Sequence, residues 1–208
     1  RDDVESRGLG DVYKRQPLKA PEYSKKKAME YFARAGFREM GEDGILKNER
    51  GERLCLELTF ADSSHVMTNV CSIIRQEALK CGVDLKLDPL TYSVCSRKVF
   101  EKRYQAALWA WPLDTPFPRL YETFASELAY DGRGNSVGNT NNIFAVADAE
   151  LDAALDVERE APDYPALKEA LHRAQKRIHD LCIWIPGWRE PYTCLLYTSP
   201  SPRDSTSS

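Results

Sequence analysis

The strongest constraint on this chain is a change of hydrophobic period, repeated twice, between residues 54 and 111. Leu54, Leu56, Leu58 and Phe60 share one face of an extended segment, with Cys55, Glu57 and Thr59 on the other. A period of two is the mark of a strand. From Ser63 or Ser64 the period becomes helical, with Met67, Val70, Ile74, Ala78 and Cys81 on one stripe and Gly82 as the stop. Val83, Leu85 and Leu87 then alternate with Asp84, Lys86 and Asp88 as a second strand that Pro89 ends. A second helix is predicted over 93–102, with Val94, Val99 and Phe100 as its apolar contacts. Residues 104–111 are apolar and aromatic apart from Gln105 and read as a third strand buried on both faces. Strand, helix, strand, helix, strand with short connections predicts an α/β fold with a mainly parallel sheet flanked by helices.

Other elements follow from local signals. Ser24 is a candidate N-cap for a helix carrying Ala28, Tyr31, Phe32 and Ala35, stopped at Gly36. Residues 45–47 and 53–60, joined across Asn48-Glu49-Arg50-Gly51, read as a hairpin. After Pro112, Pro116 and Pro118, a helix is predicted over 119–129 with Leu120, Phe124 and Leu128 inward. A polar Gly/Asn-rich segment covers 131–142. Asp148 then caps a helix running to Glu158, and Leu167, Leu171, Ala174, Ile178 and Leu181 mark a long amphipathic helix. Residues 183–188 read as a closing strand.

Several functions find no support in these residues. A net charge of −3 leaves no electrostatic footprint for nucleic acid. The apolar run at 181–186 is far too short to cross a bilayer. The first strand meets its helix through Ala61-Asp62-Ser63-Ser64, not a glycine-rich phosphate loop, which argues against nucleotide binding. No Gly-x-Ser-x-Gly elbow or His-Glu-x-x-His is present. His172 and His179 read as boundary positions beside an apolar stripe, and His65 as a solvated helix start. The cysteines contain no C-x-x-C pair and no histidine sits at metal-ligand distance from any two of them, so no metal and no cofactor are expected.

The two ends carry a different signal. Asp11-Val12-Tyr13-Lys14-Arg15-Gln16 can be written GAT GTG TAT AAG AGA CAG, whose reverse complement, shifted by one base, reads Cys194-Leu195-Leu196-Tyr197-Thr198-Ser199. Ser6-Arg7-Gly8-Leu9-Gly10 maps in the same way onto Pro200-Ser201-Pro202-Arg203-Asp204. One inverted DNA segment, similar to a transposon-type sequencing adapter, accounts for both. Residues 1–16 and 194–208 are therefore expected to be disordered read-through flanking genuine protein at 17–193. Within it, an α/β lobe is expected over about 54–130 and returning helices with a strand over about 140–193.

The candidate site is Trp109-Ala110-Trp111-Pro112-Leu113-Asp114. It follows the third strand and so lies at the carboxyl end of the sheet, where open α/β sheets bind ligands. Trp109 and Trp111 could form a stacking wall and Asp114 a counter-charge for an amine. Equally, the two tryptophans could be core aromatics on one side of the strand, and Asp114 a turn cap.

The order of these segments resembles the family 5 extracellular solute-binding proteins, the peptide, nickel and oligosaccharide binders of ABC importers. The resemblance is carried by Lys25-Lys26-Lys27-Ala28 leading to Ala33-Arg34-Ala35-Gly36-Phe37, and by Glu42-Asp43-Gly44-Ile45 with Arg50-Gly51-Glu52-Arg53-Leu54. It continues through Leu79-Lys80-Cys81-Gly82-Val83-Asp84-Leu85, the strand from Tyr104 to Trp111, Asn139-Thr140-Asn141-Asn142 with Ala149-Glu150-Leu151-Asp152, and Ile185-Pro186. Gln105 stands where the family usually has aspartate, and Pro112 and Pro116 alter the usual pattern around Asp114. The resemblance implies the C-terminal part of a longer, two-lobed protein that captures a peptide or similar solute by hinge closure. It implies ligand contacts at Trp109, Trp111, Asp114 and Asn139, permease subunits as partners, a monomer, and no catalysis or nucleic acid. The location implied is periplasmic, or extracellular on a lipid anchor, with a leader upstream. The alternative is an α/β enzyme, or a ligand-sensing regulator reusing the fold.

Overall fold

The structure is a computed structural model that describes residues 18, 22–110, 120–185 and 187. The two flanks expected to be read-through lie outside these residues. Helix α1 (Lys25–Arg34) starts where the Ser24 side chain accepts the Lys27 amide. Strands β1 (Phe37–Met40) and β2 (Leu46–Asn48) pair antiparallel. The hairpin thus lies one segment earlier than predicted. Asp43 makes it: its carboxylate accepts the Ile45 amide at 3.2 Å, while Gly41 N–H donates to Ile45 O at 2.8 Å. Across the 48–51 loop only a single bridge, Lys47 to Arg53, forms. There Asn48 Oδ1 takes the amides of Arg50 and Glu52, so the loop closes on its own side chain.

Strand β3 (Cys55–Ala61), helix α2 (His65–Lys80), strand β4 (Asp84–Leu90), helix α3 (Tyr92–Phe100) and strand β5 (Ala106–Leu108) build the predicted α/β unit. All three strands are parallel, in the order β4-β3-β5. Even-numbered residues of β3 face α2: Leu58 and Phe60 pack with Cys71, Met67, Ala78 and Leu85. Odd-numbered ones face α3, where Ala61 packs with Cys95 and Val99. The contact line of α2 runs through Met67, Cys71 and Ala78, and the expected Ile74 is 40% exposed. Val94, predicted to face inward from α3, is exposed in the same way, and Cys95 takes its place.

Two strand predictions need correction. Strand β4 runs through Pro89 to Leu90, because it is an edge strand and a proline there forfeits no ladder bond on its free side. The third strand is three residues long, half-buried and at the other edge; β3 is the strand buried on both faces towards its end. Lys102 takes a left-handed φ of 56°, and the Gln105 side chain accepts the Glu57 amide at 2.7 Å. A side chain therefore occupies the place a strand carbonyl would fill, and pairing starts only at Ala106.

Helix α4 (Leu120–Phe124) and a 3-10 turn (Ser126–Leu128) replace the single helix predicted over 119–129. Ala125 between them is extended; Asn142 Nδ2 donates to its carbonyl at 2.9 Å, and Asp152 takes the Ser126 amide at 2.9 Å. Helices α5 (Ala149–Glu160) and α6 (Tyr164–Leu181) pack on α4 around Phe124, Leu151, Leu155, Ala174 and Ile178. Asp148 caps α5 as predicted, accepting from the Leu151 amide at 2.8 Å. No strand forms over 183–185: α6 ends on a left-handed Cys182, and Ile185 is 76% exposed. The remainder of that predicted strand, Pro186 and Trp188 included, lies outside the described residues. No described helix is long and apolar enough to cross a membrane.

Candidate functional site at the carboxyl edge of the sheet

The strands end together at Ala61, Leu90 and Leu108, with Asp62 N–H still donating to Leu90 O at 2.9 Å. Each next residue begins a connection, so this rim carries Asp62, Thr91 and Trp109. The Trp109 ring turns to the α3 side. It stacks on Tyr92 with centroids 5.8 Å apart and planes 16° apart, and meets Phe100 edge-on at 6.2 Å. It also packs in the cluster of Ala61, Cys95, Val99 and Ile143. Trp109 is thus a core aromatic on its inner side. Tyr92, 63% exposed, displays the outer face of the stack. The sequence reading missed Tyr92 because it started this helix at Ser93; the signal is Thr91, an N-cap residue type directly after the strand.

Trp111 and Asp114 lie outside the described residues. Asn139 is exposed, left-handed at φ 58°, and its amide donates to Phe100 O at 3.0 Å. Helix α3 runs opposite to the strands, so this contact sits at its far end, about 12 Å along the axis from Tyr92. Asn139 and the Tyr92 rim are therefore not brought together. The buried asparagine is Asn142, whose side chain bonds Ala125 O, Val146 O and Val146 N, a structural role. Lys102 secures the same loop through the carbonyls of Leu128 and Val137 and the Thr140 hydroxyl, and Tyr104 Oη donates to Ile143 O at 2.5 Å.

Beneath α3, Lys98 Nζ lies 2.6 Å from Glu57 and 2.7 Å from Asp88, and the Thr59 hydroxyl donates to Asp88 at 2.9 Å. The Lys98 ammonium holds the Asp88 carboxyl below its usual range, and Asp88 in turn raises the lysine. These partners satisfy one another and leave one net negative charge. A shallow groove of about 550 Å³, lined by Glu57, Lys86, Lys102 and Arg103 among others, lies at the amino ends of β3 and β4, away from the rim. Among the described residues no group of three His, Cys, Asp or Glu could hold a metal ion. What the rim offers is a rigid aromatic surface with little charge, suited to gripping a ligand by stacking.

Comparison with known proteins agrees with this architecture. No family model matches the chain. The chain is similar to the oligopeptide-binding protein AppA of Bacillus subtilis, 22% identical over 178 residues, which cover 85% of this chain and 30% of that one. The structure of AppA in complex with a nonapeptide superposes with a TM-score of 0.69 at 20% identity, over 81% of this chain and 32% of that one. The oligopeptide-binding protein of Thermus thermophilus with a pentapeptide gives 0.70 at 20% identity, over 82% and 30%. NikZ of Campylobacter jejuni in complex with Ni(L-His) gives 0.66 at 21% identity, over 81% and 32%. The fold is that of the family 5 extracellular solute-binding proteins. The chain spans about 30% of the length of the curated relative it matches. In this family 5 fold, the Tyr92–Trp109 stack stands at the carboxyl edge of the sheet and the Asn139 loop at its opposite end.

Proposed function

We propose that this chain is the ligand-facing part of an ABC importer's solute-binding subunit, working outside the cytoplasmic membrane. It captures a peptide or similar small solute as two lobes close about a hinge, delivers it to permease subunits, and catalyses nothing. The observation that carries this reading is the Tyr92–Trp109 stack, exposed on one face and fixed in the core on the other, at the carboxyl rim of a parallel sheet. The fold shared with AppA and its relatives supports it. In this reading Trp111 and Asp114 also contact the ligand, Asp114 as counter-charge for an amino group. Asn139 contributes from a separate surface. Residues 17–193 are the binding protein and the flanks are read-through; the codons at both ends of the source DNA test that assignment. For the site, Tyr92→Ala in the full-length protein is expected to weaken peptide binding about tenfold, the size of one lost aromatic contact. Unchanged affinity would remove the rim from the site.

A further inference from the structure

The chain enters α4 immediately after residues 111–119, and one side chain from another helix governs that entry. Glu158, near the end of α5, accepts the amide of Leu120, the first residue of α4, at 3.2 Å. Its Oε1 thus caps α4 from across the packing interface, because Leu120 has no earlier helical carbonyl to bond. Oε2 is buried and has no hydrogen-bond partner among the described residues. A carboxylate in this position is pulled both ways. The Leu120 and Tyr121 amides favour its charge, while burial and the nearby Glu122 oppose it, and burial prevails, raising the group above the ordinary carboxylate range. The charged neighbours are Glu122 on α4 and Arg159 on α5, the latter lying over the Tyr121 ring. On α6, which packs against α5, the half-buried titratable groups are Lys168, His172, Arg177 and His179. Arg177 is engaged by Asp148 and Glu150.

We propose that Glu158 is a positioning residue that fixes the start of α4 as a carboxylate, and that proton uptake there releases it. A neutral acid is a weaker acceptor than a carboxylate, so the cap loosens as the proton arrives.

Amide hydrogen exchange of the chain between pH 7.5 and 5, corrected for intrinsic rates, tests it. Protection at Leu120 is expected to fall several-fold towards pH 5. Protection at Leu151, capped by Asp148 whose carboxyl is held low by Arg177, should hold steady over that range. In Glu158→Gln, Leu120 protection should be low at both pH values and no longer pH-dependent. Because that variant could fold poorly, the carboxyl carbon resonance of Glu158 in the unmodified chain provides a second reading, with a midpoint expected above the ordinary glutamate range. A midpoint at or below that range, or Leu120 protection that does not respond to pH, overturns the proposal.

Discussion

Replacing Trp109 by alanine tests the rim most searchingly, because the structure allows the loss to be divided. The stack on Tyr92 and the edge contact with Phe100 are aromatic pairs of about 1 kcal/mol each. Burial of more than half the indole adds at least about 1 kcal/mol more. Trp109→Ala should therefore destabilise the chain by about 3 kcal/mol. Tyr92 is largely exposed and has little but the stack to lose, so Tyr92→Ala should cost about 1 kcal/mol. The double variant should then cost about 3 rather than about 4 kcal/mol, a coupling of about 1 kcal/mol. Urea unfolding followed by far-ultraviolet circular dichroism gives all three values. Additive losses would mean that the two rings do not touch. A loss below about 0.5 kcal/mol for Trp109→Ala would mean that the indole is no part of the core.

Three further outcomes are expected. Asp148→Ala removes the α5 cap and should destabilise by about 1 kcal/mol, whereas Asp148→Asn keeps an acceptor and should lose less; thermal melts distinguish them. Arg177 depresses the Asp148 carboxyl, so its contribution is present above the unfolded-state value near pH 4 and fades as pH falls through the lower folded value; the gap between wild type and Asp148→Asn should close in acid. Asn142→Leu strands the carbonyls of Ala125 and Val146 and should cost about 2 to 4 kcal/mol by the same melts. Burial pushes the Cys71 thiol up to about 11, so iodoacetamide at pH 8 should label exposed Cys182 and spare Cys71 and Cys95 until the chain unfolds, as read by mass spectrometry.

The sheet was legible because its period-two segments are long and flanked by capped helices. Ser64, Asp148 and the stop at Gly82 each announce an element by chemistry that acts within four residues. Errors arose where a distant group decides. Gln105 shortens β5 by bonding Glu57, Asn142 breaks the 119–129 helix at Ala125, and strand order determines that Pro89 is tolerated; none of these can be read locally. The site shows the same division. Placing it after the third strand follows from topology, and Trp109 is found at that rim. Which aromatic faces outward depends on α3 packing, so Tyr92 was overlooked. Four asparagines close together give no local hint that Asn142 is the one the core encloses.

Calorimetric titration of the full-length protein with defined peptides, followed by mass analysis of the recovered ligand, addresses the central claim directly. Saturable binding with every peptide returned intact is the expected result. Shortened or otherwise altered peptides, or no heat from any peptide in the series, would contradict it.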